Sequence, residues 1–141
     1  MKAIVNSSAG VGIADVSDPR PAACEALVAV RAFSVNRGEL ALLAARTNDW
    51  RPGQDIAGVV VEQAADGSGP PPGTRVVALA EQGGWSEMAA VPTARLSALP
   101  DEVSTEQAAA LPLAGLTALR TLRLGGDLGA GGAGELHLHP P

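Results

Sequence analysis

Residues 25–36 read EALVAVRAFSVN, and this stretch decides the fold. In an extended chain, alternate side chains point to opposite faces. One face carries Arg31 among Leu27, Ala29, Phe33 and Val35, and the other carries Val28 and Val30. Both faces are mostly apolar, so the pattern predicts a strand over 25–35 that is covered on two sides. Asn36 follows with Glu39 three residues later, which predicts a capping box and a short helix over 37–45.

Short apolar runs separated by turn residues continue on either side of this stretch. They predict strands at 2–5, 11–16, 56–63, 74–80, 85–91 and 96–99. The segment DGSGPPPG at 66–73 contains too many prolines for a helix or strand. Many short strands joined by Gly- and Pro-rich turns favour a barrel or sandwich, so the predicted class is mainly β with a few short helices.

Two helical segments are predicted near the end of the chain. Ser104 and Gln107 form a second capping-box pattern, and Pro112 then interrupts the helix. A further helix is predicted over 113–124, closed by two glycines. Its leucines spread over about half of the helix circumference, which one barrel cannot cover. We therefore expect this helix to mediate self-association or to fray.

Composition excludes several classes of protein. The chain has 141 residues, 46% of them hydrophobic, and a formal net charge of −5. The acidic balance argues against a nucleic-acid partner. Cys24 is the only cysteine, which excludes a disulfide framework and a cysteine-rich metal site. No apolar run reaches the ~18 residues needed to span a bilayer, and the first ten residues lack a secretory pattern. We expect a cytoplasmic protein without a membrane partner.

Five motifs resemble those of one enzyme family in order and spacing. They are RAFSVNRGEL at 31–40, RPGQDIAGVVVE at 51–62, GTRVVAL at 73–79, GGWSEMAAVP at 83–92 and LPDEVSTEQAAALPLAGLTAL at 99–119. Together they resemble the zinc-independent, quinone oxidoreductase-like branch of the medium-chain dehydrogenase/reductase superfamily, over about residues 1–126. The resemblance implies a GroES-like catalytic domain, a partly open β-barrel, followed in the family by a Rossmann domain that binds NADP.

The resemblance also implies roles for individual residues. NADPH would pass a hydride to a quinone or enone, and the protein would supply orientation and electrostatics. Asn36 would lie beside the nicotinamide and the substrate, and Arg37 would attract an anionic substrate or stabilise enolate charge. Thr117 matches a residue near the nicotinamide in relatives. The substrate cleft would include Gln54 and Asp55.

Each of these residues also has a structural interpretation. Asn36 is a helix cap on spacing alone, Asp55 caps a turn or pairs with an arginine, and Thr117 bonds back to a helix carbonyl. Trp85 is expected in the core.

No catalytic zinc is expected. Asn36 and Gln54 stand where the zinc alcohol dehydrogenases of the superfamily have Cys and His, and amides are poor zinc ligands. His137 and His139 form only a weak metal pair in a segment without periodicity.

Residues 129–134 read GAGGAG and match the glycine pattern of a dinucleotide-binding loop. No strand pattern precedes them, and only 13 residues remain from Gly129 onward, whereas a βαβ unit needs about 30. We therefore expect 127–141 to be an unstructured tail or a remnant of a Rossmann domain. On this interpretation the chain alone is inactive and does not bind NADP tightly. The alternative is a stand-alone barrel that binds a small apolar molecule or a partner protein.

Overall fold

The computed structural model describes residues 1–46 and 50–125. The elements are β1 (Lys2–Ser7), β2 (Gly10–Asp15), β3 (Glu25–Phe33), α1 (Arg37–Ala45), β4 (Asp55–Glu62), β5 (Arg75–Leu79), β6 (Met88–Pro92), a 3-10 turn (Thr93–Arg95), β7 (Leu96–Ala98), α2 (Thr105–Ala109) and α3 (Pro112–Leu124). The predicted strands and helices are all present, with small shifts at their ends. The largest shift is at β6, since Ser86 forms only an isolated bridge with Ala3 before the strand begins.

The strands form two antiparallel sheets. β1 and β2 make a hairpin, and the other five strands form a curled half-barrel sheet in the order β6-β3-β4-β5-β7. Because β3 and β4 lie inside this order, each is paired with a strand on either side. The predicted mainly β class, a partly open barrel with a few short helices, is confirmed.

Strict alternation along β3 is wrong beyond Val30. The register with β4 slips between Val30 and Ala32, leaving Arg31 as an extra residue in a β-bulge. Ala32 consequently joins the cluster that packs on α2, whereas Val30 packs on the main core. The predicted cover on two sides is incomplete at this end, because Phe33 is 41% exposed.

The main core lies on the concave face of the five-stranded sheet. Its buried members are Ala26, Val28, Ile56, Val60, Val76, Ala78, Ala80, Ala89 and Val91. A smaller cluster, in which Ala57 contacts Ala108 and Ala109, packs α2 on the opposite face. β4 is therefore buried on both faces, and the side chain at its first residue is enclosed by the helices.

The capping boxes predicted for α1 and α2 are both present. Within residues 1–46 and 50–125, no helix is long and apolar enough to cross a membrane. The glycine pattern at 129–134, His137, His139 and the predicted tail at 127–141 lie outside the described residues.

Candidate functional site

A fully buried carboxylate, that of Asp55 at the start of β4, joins three segments of the chain. Its Oδ2 accepts hydrogen bonds from Ser34 Oγ at 3.1 Å and from Asn36 Nδ2 at 3.0 Å. The backbone N–H of Leu113 donates to both oxygens, at 3.1 Å to Oδ1 and 3.2 Å to Oδ2. Leu113 is in the first turn of α3, where backbone N–H groups have no partner inside the helix. Asp55 therefore caps α3 from a strand 58 residues away.

A second buried carboxylate, that of Glu39, organises the first turn of α1. It is also fully buried. Its Oε1 accepts the backbone N–H of Gln54 at 2.8 Å, and its Oε2 accepts the backbone N–H of Asn36 at 2.9 Å. The side-chain amide of Asn36 is 3.4 Å from the same Oε2. The Asn36 amide thus bridges the two carboxylates, and Glu39 fixes the chain just before β4.

We call Ser34, Asn36, Glu39 and Asp55 the buried-acid network. Neither carboxylate forms an ion pair with a described residue. Their charges are stabilised instead by N–H and O–H donors, and such charge-assisted hydrogen bonds are stronger than neutral ones. Because a buried charge is costly unless it is hydrogen-bonded, the donors and acceptors of this network hold one another in place.

An aromatic pair borders the network. Trp85 Nε1 donates to the backbone carbonyl of Ser34 at 3.0 Å, and the indole stacks on Phe33 with ring centroids 5.6 Å apart. Trp85 is buried, as expected, but Phe33 is half-exposed. Val35 and Leu40 are both 54% exposed on the segment around Asn36. The network therefore lies under a partly apolar surface that the described part of the chain does not cover.

The structure brings together three of the five residues predicted for the site. Asn36 contacts Asp55 directly, and Gln54 joins them through its backbone N–H on Glu39. Arg37 is exposed at the start of α1 and forms no ion pair with a described residue. Thr117 is exposed on α3.

The structural interpretations have mixed outcomes. Asn36 is the N-cap of α1, as its spacing predicts. The pairing of Asp55 with an arginine is wrong, because its partners are a serine, an amide and a helix N–H. The hydroxyl that bonds back within α3 is that of Thr121, which donates to the Thr117 carbonyl at 2.9 Å.

Two contributors to the site were missed in the sequence. Glu39 was recognised as a capping residue, but its complete burial was not expected. No local pattern in the sequence links the Leu113 N–H to Asp55. A carboxylate beginning a Val-rich strand is itself a signal, since acidic side chains are almost never fully buried unless they have partners.

The donor set around Asn36 does not suit zinc. Catalytic zinc sites use three protein ligands of the Cys, His or carboxylate type. Here two positions are amides, and both carboxylates are engaged by protein donors. Among the described residues, no three His, Cys, Asp or Glu side chains cluster in a way that could hold a metal ion.

A broad groove separates α3 from the edge of the sheet. It has a volume of about 730 Å³ and is lined by β5, β7 and the Leu111, Leu116 and Leu119 side chains. Leu116 and Leu119 are 41% and 43% exposed, and Leu122 is 48% exposed. The first turn of α3 is tied to Asp55, but the leucine side of the helix remains largely uncovered by the described residues.

Comparison with known proteins identifies one family model. The alcohol dehydrogenase GroES-like domain matches residues 22–101. No curated protein sequence matches the chain.

Several solved structures share the fold. The quinone oxidoreductase from Thermus thermophilus, also solved in complex with NADPH, has 30% identity and a TM-score of 0.75, covering 88% of this chain and 41% of that one. The Pseudomonas syringae pv. Tomato DC3000 quinone oxidoreductase has 26% identity and a TM-score of 0.81, with coverages of 91% and 42%. The quinone oxidoreductase from Coxiella burnetii has 25% identity and a TM-score of 0.77, with coverages of 88% and 44%. The chain thus spans less than half the length of these proteins.

Proposed function

The chain belongs to the alcohol dehydrogenase GroES-like domain family, and from this membership we propose that residues 1–126 are the substrate-side domain of an NADPH-dependent reductase. The proposed reaction is hydride transfer to a quinone or enone without catalytic zinc. The observation that carries the proposal is the family match over 22–101, together with the fold shared with the Thermus thermophilus quinone oxidoreductase that was solved with NADPH.

The proposed roles follow from how the network holds its members. NADPH, when bound, supplies the hydride, so the protein contributes position and charge. The amide of Asn36 is held between two buried carboxylates, which gives it one fixed orientation beside the proposed substrate surface. Arg37 is exposed next to it and carries a guanidinium group, so we assign it attraction of substrate or enolate charge. We propose that Thr117, on α3, lies near the nicotinamide ring when NADPH is bound.

The apolar surface beside the network suits a flat ring. Phe33 offers a half-exposed aromatic face supported by Trp85 beneath it. Aromatic pairs in offset stacks gain about 0.5–1.5 kcal/mol beyond simple burial. We therefore propose that the quinone ring stacks on Phe33. The Gln54–Asp55 segment would form the bottom of the cleft, where Asp55 holds the Asn36 amide.

Quinone binding can be tested by quenching of tryptophan fluorescence. In a Trp50→Phe background Trp85 is the remaining indole, and 1,4-naphthoquinone is expected to quench it with a saturable curve. Phe33→Leu should weaken that binding about two- to tenfold because it removes one aromatic face. Val61→Ala, a change at another exposed apolar residue, should leave it unchanged. Linear, unsaturable quenching that is equal in all variants would contradict the proposed substrate surface.

Tight cofactor binding is assigned to residues beyond this domain. In the part of the chain that the structure describes, no strand is followed by a glycine-rich loop and a helix, the unit that cradles a dinucleotide pyrophosphate. Titration with NADPH, followed by nicotinamide fluorescence, is therefore expected to show no saturable binding at micromolar concentrations. Submicromolar affinity of the isolated chain would overturn this division of roles.

The exposed leucines of α3 favour a second candidate function, that of an interaction module. We propose that the isolated chain self-associates through the groove beside α3. Each leucine buried in such a contact is worth about 1.5–3 kcal/mol. The double change Leu116→Gln and Leu119→Gln should therefore weaken self-association at least tenfold, as measured by analytical ultracentrifugation.

Leu40→Gln is the matched control for this experiment. Leu40 is a similarly exposed leucine on α1, outside the groove, so its replacement should leave the association constant unchanged. A monomeric chain whose amides exchange slowly across 113–124 would show that α3 needs no partner.

A further inference from the structure

A small second cavity lies beside the loop that precedes β4, which contributes Arg51 to its lining. It has a volume of about 170 Å³ and is lined by Arg51, Gln82 and the apolar residues Pro19, Met88, Ala89 and Ala90, together with Gly83. It shares no lining residue with the buried-acid network. Among the described residues that line it, the polar side chains are a guanidinium and an amide, with no carboxylate.

Arg51 lines this cavity, and its guanidinium includes an unsatisfied donor. Its Nε is buried and has no hydrogen-bond partner among the described residues. Its backbone is fixed, since Gly83 N donates to the Arg51 carbonyl at 2.8 Å. A buried donor without an acceptor costs about 1–3 kcal/mol, and more when it is charged. The Nε–H is one half of the fork with which arginine binds carboxylate and phosphate groups.

Gln82 supplies a second donor of fixed orientation. Trp50 Nε1 donates to Gln82 Oε1 at 3.2 Å, which commits the oxygen of the amide to the indole. Gln82 is exposed, and its NH₂ group is therefore the end available to a ligand. The cavity thus presents two kinds of donor and no free side-chain acceptor among the described residues that line it.

Three described acidic residues next to the cavity-lining segments are engaged elsewhere. Asp18 accepts from the N-terminal amino group at 3.1 Å, Glu81 pairs with Arg95 at 3.1 Å, and Glu87 accepts from the backbone N–H of Lys2 at 2.7 Å. Among the described residues, none of the three forms an ion pair with Arg51. The positive charge at the cavity is therefore not neutralised by these neighbours.

We propose that this cavity binds a small oxyanion, a carboxylate or phosphate group, through the Arg51 guanidinium and the Gln82 amide. The volume accommodates one such group and a few waters, and the apolar walls of β6 lower the local dielectric, which strengthens the charged hydrogen bonds. The site does not depend on the proposed reductase function. A free ion and the acidic end of a larger molecule offer the same chemistry to it.

The test is a titration of the ¹⁵N-labelled chain with sodium phosphate and, separately, sodium acetate, against sodium chloride at equal ionic strength. The expected result is a saturable downfield shift of the Arg51 Nε–H signal, together with shifts of the Gln82 amide and the Trp50 indole N–H. Saturation by both anions indicates a general carboxylate and phosphate site. Saturation by phosphate alone narrows the ligand to phosphate groups, and saturation by acetate alone narrows it to carboxylates.

Variants separate this site from general anion attraction. Arg51→Gln should weaken anion binding at least tenfold, and Gln82→Leu should weaken it severalfold, with an unchanged backbone spectrum. Arg31→Gln removes one exposed positive charge outside the cavity and should change nothing. The proposal is overturned if chloride produces the same shifts. It is equally overturned if no signal saturates in the parent chain, or if Gln82→Leu and Arg51→Gln bind as well as the parent.

Discussion

Replacement of Asp55 by alanine is expected to lower the free energy of unfolding by about 3–5 kcal/mol. The change removes the acceptor of four hydrogen bonds, so the Ser34 hydroxyl and the Leu113 N–H lose their acceptor and the Asn36 amide keeps only its longer contact with Glu39. Urea denaturation followed by circular dichroism measures the loss. A loss of that size is a large fraction of the roughly 5–15 kcal/mol that stabilises a typical domain.

Asp55→Asn separates the two functions of the Asp55 carboxylate, which are to accept hydrogen bonds from Ser34 and Asn36 and to accept the Leu113 N–H of α3. Its side-chain oxygen can still accept from Ser34 and Asn36, but its NH₂ group then faces the Leu113 N–H. The first turn of α3 should exchange its amide hydrogens faster, while α1 keeps its protection. If the loss in Asp55→Ala is below about 1 kcal/mol, or if α1 and α3 lose protection equally in Asp55→Asn, the capping role assigned to Asp55 is wrong.

Gly53→Ala is expected to cost more than about 4 kcal/mol, or to prevent folding, because two backbone segments meet at this residue. A Cβ at this position would lie 2.1 Å from Trp85 N and 2.6 Å from two backbone atoms of Gly84. The backbone is also at φ +116°, which favours glycine. Gly84 N donates to the Gly53 carbonyl at 3.0 Å and Trp85 N to the Pro52 carbonyl at 3.1 Å, so neither segment can move away without losing hydrogen bonds.

Two other glycines serve as controls for this prediction. Gly83 also has a positive φ, +77°, but open space around its missing Cβ, so Gly83→Ala should cost only about 1–2 kcal/mol. Gly38 is in α1 with open space and no positive φ, so Gly38→Ala should be neutral or stabilise by up to about 1 kcal/mol. Thermal unfolding of the three variants should rank them in that order, and a Gly53→Ala chain as stable as Gly83→Ala would show that the backbones can separate.

The sequence predicted the elements of this fold well because their signals are local. Alternation marks the strands, and the spacing of Asn36 to Glu39 and of Ser104 to Gln107 marks the starts of two helices. The bulge at Arg31 could not be predicted from the alternation of side chains, because the register shift depends on the pairing with β4 and not on β3 alone.

The candidate site was predicted only in part, for the same reason. Asn36, Gln54 and Asp55 were chosen by resemblance, and they do meet. They are connected through the two fully buried carboxylates of Glu39 and Asp55. This burial depends on contacts between segments far apart in the chain. The bond from Leu113 to Asp55 spans 58 residues, and the contact of Gly53 with Gly84 depends on two loops folding against each other. Neither of these two contacts produces a periodic pattern in the sequence from which it could be predicted.

The attachment of α3 gives the molecule a mechanical property. The position of the first turn of α3 depends on its hydrogen bonds to the two oxygens of Asp55. A partner that binds the leucines further along α3 would therefore act on these hydrogen bonds. The same Asp55 carboxylate also accepts a hydrogen bond from the Asn36 amide. We therefore expect binding along α3 and the orientation of the Asn36 amide to be coupled through the Asp55 side chain.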